Sequence, residues 1–446
     1  MRRLYEASAY DLQPDPLNFW NSTVPPDRLD APPLDGDTQA DFAVIGAGYT
    51  GLSAALRLAE THGASVVVVD RSRPGWGASG RNGGFVCLGG SKRSEESLLR
   101  EFGVDETARY RACQRDAIDH VAATLDRFGI DADRHSDGEW EIAHTKGHAD
   151  ALRRQAEAGK RKGSEGARFF EPDELASLGI AAPFVHGGSH LPAGFAINPL
   201  KYVAGLLAAV RDADARVYGQ SEITGIEPIG DGYRLRSATG SIAAKRLIVA
   251  TNGYGAEDLV PGLAGRLLPA FSNILVTEPM DEATLAAQGW TRRDMAYDSR
   301  NLLHYFRLMP DGRFLFGMRG GTSHAPAAVA EMRQAIRRDF EAMFPAWRQV
   351  ETPWFWSGLV CLTRSLTQYL GKVDGWSNAW ASAAYHGNGV AMGSHAGRLV
   401  ADLGAGAIDE SDIPAVMRGG LKPFPLPALR RTYLKAAYAW FGLVDR

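Results

Sequence analysis

The sequence predicts an α/β fold in which a domain of parallel strands and helices is interrupted by a second, β-rich domain. Three observations support this prediction. An apolar run at 41–45 leads into a glycine-rich turn, an Ala/Leu-rich helical stretch and a second apolar strand at 66–69. A further buried strand ends in the small-residue turn at 250–253. Between about 265 and 350 the pattern changes to alternating strands and a polar helix.

The first turn has the spacing Gly-x-Gly-x-x-Gly over residues 46–51. Gly46 allows a tight turn, Gly48 lets the backbone approach a diphosphate, and Gly51 lets the helix pack closely on the strand. The helix N-terminus offers free N–H groups and a positive dipole end to that diphosphate. Asp70, at the end of the second strand, is placed to accept hydrogen bonds from a ribose hydroxyl. The unit predicts an adenine dinucleotide site, with a flavodoxin-like unit of chance glycine spacing as the alternative.

Composition narrows the function classes. The chain has 446 residues, 45% of them hydrophobic, and a net charge of −3, which provides no general field for nucleic acid. The basic run 153–162 has no aromatic residues between its charges, so it favours a solvated helix face over a nucleic-acid patch. We expect a cytoplasmic protein, because there is no secretory start and the three cysteines form no Cys-x-x-Cys pair. No apolar run reaches the roughly 18 residues of a transmembrane span, and the scattered histidines predict no metal site.

The pattern also predicts a division into domains. Residues 1–40 are proline-rich and are expected to form an arm, anchored by its aromatic residues, over one domain. The nucleotide-binding domain is expected from 41–95, 196–262 and 351–420, and the β-rich substrate domain from 96–195 and 263–350.

The C-terminal segment, 421–446, is predicted to form an amphipathic helix. Its apolar stripe is expected at Leu429, Tyr433, Ala436, Trp440 and Phe441. Docking on the nucleotide-binding domain or on a partner subunit is favoured, and contact with a membrane surface is the alternative.

A second glycine-rich block strengthens the prediction of a cofactor site. Residues 75–84 read Gly-Trp-Gly-Ala-Ser-Gly-Arg-Asn-Gly-Gly. A backbone this rich in glycine can lie against a flat ring and a diphosphate, although an ordinary surface loop is the alternative. Residues 385–390, Tyr-His-Gly-Asn-Gly-Val, follow a predicted strand and begin a helix.

These motifs, with Gly194, Asn198-Pro199, the 250–253 turn and Ala396-Gly397-Arg398, resemble the superfamily of D-amino-acid oxidase, glycine oxidase and sarcosine oxidase. Within it they are most similar to the γ-glutamylputrescine oxidoreductase branch. The resemblance implies a Rossmann-like FAD-binding domain of the GR2 type with an inserted β-rich substrate domain, as in D-amino-acid oxidase. It also implies FAD rather than NAD.

The resemblance implies the positions that contact FAD. The 75–84 loop would run under the flavin, and the turn at 387–390 would direct its N–H groups toward the pyrimidine edge of the ring. The cofactor-binding residues implied in this sequence are Gly46, Ala47, Gly48, Tyr49, Thr50, Gly51, Asp70, Arg71, Gly77, Ala78, Ser79, Gly80, Arg81, Asn82, Gly83, Ile223, Thr251, Asn252, Gly387, Asn388, Gly389 and Val390.

The predicted catalytic residues are Tyr305, Arg307 and His386. In 301–307 the side chains alternate, so His304 and Phe306 share one face while Tyr305 and Arg307 share the other. The resemblance places an aromatic wall and a carboxylate-binding arginine here, as Tyr305 and as Arg307 or Arg319. His304 is expected to be a structural histidine.

The sequence departs from the family pattern near its end. His386 stands where relatives carry serine and Asn388 where they carry histidine, which leaves the catalytic duty of that histidine open. Cys361 raises the alternative of a covalent flavin, but a buried, inert thiol and a non-covalent cofactor are favoured.

The expected reaction is the oxidation of a small amine or amino acid, similar to γ-glutamylputrescine, by hydride transfer to flavin, with hydrolysis of the imine. The expected electron acceptor is O2 or a quinone, and a homo-oligomer is an open alternative to a monomer. Two alternative functions are a membrane-associated, quinone-linked dehydrogenase and a flavin-binding protein without oxidase chemistry.

Overall fold

The computed structural model describes residues 1–13, 15–161 and 166–445. Pro14 of the predicted arm, Lys162 of the basic run and Arg446 of the C-terminal segment lie outside these residues. The helices are α1 (Tyr49–His62), α2 (Glu95–Arg127), α3 (Lys146–Arg161), α4 (Pro172–Ser177), α5 (Pro199–Asp212), α6 (Glu282–Gln288), α7 (Pro326–Met343), α8 (Ala391–Ala405), α9 (Ala415–Arg418) and α10 (Arg430–Val444).

The strands form two large sheets and one short antiparallel pair. They are β1 (Gly36–Ile45), β2 (Val66–Val69), β3 (Phe85–Val86), β4 (Glu139–Ile142), β5 (Arg168–Phe170), β6 (Gly188–Leu191), β7 (Phe195–Ala196), β8 (Arg216–Tyr218), β9 (Gly225–Ile229), β10 (Gly232–Arg236), β11 (Gly240–Val249), β12 (Leu267–Val276), β13 (Met295–Asp298), β14 (His304–Leu308), β15 (Phe314–Arg319), β16 (Trp354–Thr363), β17 (Tyr369–Lys372) and β18 (Ala379–Ala383).

The first sheet has the order β17-β18-β11-β1-β2-β8, with β10 and β9 continuing from β11. Strands β18, β11, β1, β2 and β8 run parallel. Helices α1, α5 and α8 pack together beside this sheet, and their apolar side chains share one core with it. The predicted α/β fold class is confirmed, and the strands of this sheet come from three separated segments of the chain.

The second sheet has the order β16-β12-β15-β14-β13-β4-β6-β5. Its outer face packs on α7 through a core of aromatic side chains, which includes Phe306, Phe314, Phe316, Phe340, Phe344 and Trp347. The opposite face of its central strands turns toward the first sheet, and the candidate site lies there.

Two elements differ from the predicted division into segments. Strand β16 lies in the 351–420 segment predicted for the nucleotide-binding domain, but it pairs with β12 along ten residues of the second sheet. Helix α2 lies in the 96–195 segment predicted for the substrate domain, but it packs on α8, with Tyr110 and Cys113 buried in the core of the first sheet. The position of a segment in the sequence does not predict either placement, because both depend on contacts between residues far apart in the chain.

The N-terminal arm and the C-terminal helix both pack on the rest of the chain. In the N-terminal arm, Phe19 and Trp20 are buried, as the prediction of aromatic anchors requires. Helix α10 docks on this chain, and Leu434 packs against Leu268 and Ala270 of β12. The predicted apolar stripe of this helix is wrong in register, since Trp440 is 63% exposed. In the described ranges, no helix combines the length and apolarity that a membrane span requires.

Candidate active site

A first cavity lies at the carboxyl ends of the parallel strands β1, β2 and β11. It encloses about 1200 Å³ of space between protein atoms, part of it open to solvent. Most of the predicted cofactor-binding residues line it, namely Gly46, Gly48, Tyr49, Thr50, Asp70, Arg71, Gly77, Ala78, Ser79, Asn82, Ile223, Thr251, Asn252, Gly387, Gly389 and Val390. Residues from both ends of the chain thus meet at one cavity.

The turn between β1 and α1 is shaped by glycine. Gly46 has φ +109°, and a Cβ atom there would lie 2.8 Å from the carbonyl oxygen of Ala250. A Cβ atom on Gly51 would lie 1.8 Å from the carbonyl oxygen of Gly46, so only glycine lets α1 approach the strand this closely. Among the described residues, the N–H of Gly48 has no protein acceptor. The turn therefore presents a free donor at the positive end of the α1 dipole.

Three of the predicted positions lie outside the cavity linings and act on the shape of the site instead. Ala47 donates its N–H to Asp70, Gly51 carries the close helix packing, and a Cβ atom on Gly80 would lie 2.3 Å from the carbonyl oxygen of Gly75. These three residues therefore support the backbone that faces the cavity, but they do not line it themselves.

Asp70 and Arg71 form the far end of the first cavity. The Asp70 carboxylate accepts N–H groups from Ala47 at 2.8 Å and from Ser72 at 2.9 Å. Burial raises the pKa of this carboxyl, and the two N–H bonds act against the rise. Arg71 lies over Trp76, and its Nη1 atom has no hydrogen-bond partner within the described ranges. These groups leave a carboxylate and a guanidinium available to a ribose or a phosphate.

The 75–84 loop is held by side chains at its centre. Ser79 Oγ accepts the N–H of Tyr49 at 3.0 Å, and Asn82 Nδ2 donates to the carbonyl of Ala78 at 3.0 Å. Trp20 of the N-terminal arm donates its indole N–H to the carbonyl of Asn82 at 2.9 Å. The loop is thereby fixed against both α1 and the arm.

The turn that precedes α8 closes the first cavity from the other side. Gly387 has φ +104°, and His386 has φ +53°. The imidazole of His386 is buried, with Nε2 3.4 Å from Thr363 Oγ1, and burial lowers its pKa to about 4. His386 is therefore neutral at physiological pH.

A second cavity opens beside the first, between the same turn and the inner face of the second sheet. It encloses about 1100 Å³, again partly open to solvent. The two cavities share a set of lining residues, which are Ala78, Asn82, Leu359, Val360, Gly387 and Val390. Arg81, Gly83 and Asn388, which were predicted to contact the cofactor, line this second cavity and not the first.

Tyr305 stands at the centre of the second cavity. Its hydroxyl lies 3.0 Å from Ser272 Oγ, and burial raises its pKa to about 12, so the phenol is neutral. A Cβ atom on Gly83 would lie 2.8 Å from its ring, and one on Gly317 would lie 2.0 Å from Cζ. Glycine at both positions makes the space that the ring fills. The predicted alternation is confirmed, since His304 faces the other side and bonds to Asp298 at 2.8 Å.

The two candidate arginines have different surroundings. Arg307 is 1% exposed and lines neither cavity, because its nitrogens donate to the carbonyls of Gly83 and Ile197 and to His135. Arg307, predicted as a site residue, thus lies outside both cavities, with its side-chain nitrogens bonded to protein acceptors. Arg319 lines the second cavity and makes one long bond, 3.4 Å, to the carbonyl of His386. In the described part of the chain it has no carboxylate partner.

Comparison with known proteins identifies the family. A family model described as "FAD dependent oxidoreductase" (DAO) matches residues 41–403. The chain belongs to this DAO family. It is 30% identical over 421 residues to the gamma-glutamylputrescine oxidoreductase of Escherichia coli K12, with 93% of this chain and 94% of the relative covered. It is also 30% identical to a probable oxidoreductase, OrdL, of Rhizobium meliloti, with 96% and 97% covered.

Solved structures share the fold of this chain. Glycine oxidase from Geobacillus kaustophilus superposes with a TM-score of 0.70 at 21% identity and covers 87% of this chain and 100% of its own. Iminodiacetate oxidase from Chelativorans sp. BNC1 superposes with a TM-score of 0.67 at 19% identity, with 84% and 97% covered. The chain is thus an FAD-dependent oxidoreductase with the DAO fold, and the predicted family is confirmed.

DAO family membership implies FAD, and the first cavity fits it. The free N–H of Gly48 and the unpartnered Arg71 Nη1 are donors of the kind that a dinucleotide uses, and Asp70 supplies the acceptor. Cys361 also lines this cavity. Burial raises the pKa of its thiol to about 12, which keeps the nucleophilic thiolate scarce.

Several lining residues were missing from the sequence predictions. In the first cavity these include Trp76, Glu222 and Tyr254, and in the second they include Lys92, Glu139 and Tyr297. Glu139 alternates with Trp140 along β4, which by itself indicates a strand with one solvent-facing side. No local signal distinguishes such a glutamate from one that faces a closed cavity.

Proposed function

We propose that the protein binds FAD non-covalently in the first cavity and oxidises, in the second cavity, the carbon next to the nitrogen of a small amine that also carries a carboxylate. The observation that supports this most directly is Arg319, a cation without a carboxylate partner among the described residues, in a cavity that shares a wall with the cofactor cavity. The name of the Escherichia coli relative supports a γ-glutamylated diamine as the type of substrate.

The proposed cofactor contacts follow from the first cavity. The α1 N-terminus at Gly48 would hold the diphosphate, and Asp70 with Arg71 would hold the adenosine end. The loop at 77–83 and the turn at 387–390 would hold the flavin end. A buried thiol whose pKa is about 12 supports non-covalent binding at Cys361.

The residues of the second cavity prepare the substrate. Phe85, Leu303, Leu359 and Val360 line it with apolar groups, which exclude water and favour the neutral form of the amine that is oxidised. Arg319 would pair the substrate carboxylate, and Tyr305 would form the wall beside the amine. When bound, FAD supplies the hydride acceptor, and the imine product is then hydrolysed by water.

We assign His386 a positioning role. Its carbonyl accepts from Arg319, whereas its imidazole lies against Thr363 and is neutral. The residue therefore orients the carboxylate-binding arginine through its backbone, and proton transfer by the imidazole is not needed.

The test is anaerobic reduction of the bound flavin. The holoprotein is mixed with γ-glutamylputrescine, putrescine, glycine, sarcosine and a 2-hydroxy acid, and the loss of flavin absorbance near its long-wavelength band is followed. We expect bleaching by amines that carry a carboxylate, and fastest by the γ-glutamyl conjugate. Bleaching by the hydroxy acid alone, or by none of the amines, would contradict the proposal.

A specific surface favours a quinone-linked dehydrogenase as the second candidate. On α10, Trp440 and Leu443 are each 63% exposed and Val444 is 51% exposed, which is the kind of apolar edge that rests on a membrane surface. Hydrogen peroxide formed in air in proportion to amine consumed would support an oxidase. Reduction of a soluble quinone without peroxide would support the dehydrogenase.

A further inference from the structure

A buried acid faces the second cavity at some distance from Arg319. Glu139 of β4 is 7% exposed and lines this cavity. Burial raises the pKa of its carboxyl to about 8, repulsion from Glu141 adds to the rise, and a hydrogen bond with Cys87 and attraction to Lys92 oppose it. Within the described ranges it forms no salt bridge, so the carboxyl is largely protonated at neutral pH until a cation enters the cavity and favours its charged form.

The register of the second sheet locates Glu139 relative to Tyr305. Tyr305 of β14 pairs with Tyr297 of β13, Tyr297 pairs with Glu141 of β4, and Glu139 lies two residues before Glu141 on the same face. Neighbouring strands are about 4.8 Å apart and the rise is about 3.3 Å per residue, so the Cα atoms of Glu139 and Tyr305 are roughly 12 Å apart.

Arg319 lies on the opposite side of Tyr305. Strand β15 is the neighbour of β14 away from β13, and its Gly317 is paired with Tyr305, two residues before Arg319. One wall of the cavity therefore presents a cation, a tyrosine and an acid in that order across the strands. Only an extended molecule of several bonds can reach from the centre of the cavity to the acid.

Lys92, which also lines the cavity, is the alternative partner for Glu139. Burial and repulsion from Arg319 lower the pKa of its ammonium group to about 7, and it forms no salt bridge with Glu139 in the described part of the chain. The attraction between them acts through space and does not outweigh the burial of the acid. An ammonium group of a ligand that entered the cavity would provide the contact that Lys92 does not make.

We propose that Glu139 forms a second subsite, which binds a protonated amino group of the substrate remote from the amine that is oxidised. This inference rests on the proposed amine oxidation, and it assigns the substrate to derivatives that carry two amino groups. The amine beside Tyr305 is neutral and loses hydride, whereas the remote amino group remains charged and is bound by the Glu139 carboxylate.

The test uses a pair of ligands that differ by one ammonium group. Lysine carries an ε-amino group that norleucine lacks, while their α-amines and carboxylates match. We expect the wild-type holoenzyme to bind lysine at least about tenfold more tightly than norleucine, measured from the concentration dependence of anaerobic flavin reduction. In Glu139→Gln the preference should fall to less than about twofold, mainly through weaker binding of lysine.

Glu141→Gln is the matched control, because it removes the same charge from the same strand and face but lies outside the cavity lining. It should retain the preference or strengthen it, because the repulsion that raises the pKa of Glu139 is removed. Equal binding of the two ligands by wild type would overturn the subsite even if Glu139→Gln does not fold, and so would an equal loss for both ligands in that variant. If no amine bleaches the flavin, the proposed reaction fails instead, and calorimetric titration of the same two ligands still tests the subsite.

Discussion

At the scale of single residues, two arginines of the second sheet differ in how many hydrogen-bond acceptors the protein offers them, and therefore in whether they can bind a ligand. Arg307 and Arg319 lie on adjacent strands, and both are surrounded by protein. Arg307 donates to two carbonyls and a histidine, and these bonds join β14 to the segments that flank β3 and β7. Arg319 retains free donors toward the cavity. A buried guanidinium without an acceptor is costly, so it favours an anionic ligand.

Replacing Arg319 by methionine tests this difference. Arg319→Met should weaken the binding of carboxylate-bearing amines by at least about thirtyfold, because a buried charge pair is lost. Binding of alkylamines without a carboxylate should change little. The measurement is the concentration dependence of anaerobic flavin reduction. Arg236→Met is the control, since Arg236 is exposed on β10 and lines neither cavity, and it should behave as wild type.

At the scale of elements, the hairpin of β14 and β15 shapes the centre of the site. Tyr305 and Gly317 are paired across it, and the tyrosine ring covers the position where a side chain of residue 317 would stand. Gly83 of the 75–84 loop also has no side chain, and this leaves room for the same ring next to the loop. The sheet and the loop therefore determine the ring position together.

Gly317→Ala should displace that ring. The added Cβ would lie 2.0 Å from Tyr305 Cζ, and overpacking of this kind costs about 1–3 kcal/mol of stability. We expect slower flavin reduction by amines with FAD affinity unchanged, measured by stopped-flow absorbance and by titration of the apoprotein. Gly225→Ala, on an edge strand with no atom within 4 Å of its added Cβ, should leave both quantities unchanged. Equal reduction rates in the two variants would contradict this account of the ring.

At the scale of the whole molecule, the N-terminal arm connects the two sheets through the cofactor loop. Trp20 donates to Asn82 in the loop, and its ring packs edge-on against Trp356 of β16. Asn18 adds a bond to the carbonyl of Gly80 at 2.9 Å. The 75–84 loop is thus fixed by residues far away in the sequence.

Trp20→Phe should loosen this loop. The ring is retained in part, but the N–H donor is lost and the carbonyl of Asn82 loses its partner, at a cost of about 1 kcal/mol. We expect the Kd for FAD to rise about fivefold, measured by flavin fluorescence on titration of the apoprotein. Trp440→Phe changes the same residue type at an exposed position and should leave the Kd unchanged. A Kd for the Trp20 variant that equals the wild-type value would exclude a role of the arm in cofactor binding.

Local patterns predicted much of this molecule. The Gly46–Gly51 turn, helix α1 that follows it and the alternation along β14 depend on neighbouring residues, and the structure has them where the sequence indicates. The stripe of α10 was misplaced because its apolar residues cover more than one face. Only contact with β12 selects Leu434 for burial and leaves Trp440 exposed.

By itself the sequence determined the glycine turn and the α/β class, since these reside in glycine spacing and in the periodicity of apolar residues. The family followed from the resemblance of its motifs. Tertiary structure alone decided that β16 joins the second sheet and that Glu139 is buried beside the second cavity. It also decided that Arg307 bonds to protein acceptors whereas Arg319 faces the cavity. The physical reason is that burial and the pairing of a charge depend on groups distant in the chain. A glutamate or an arginine in a strand has the same local pattern whether water or a cavity lies beside it.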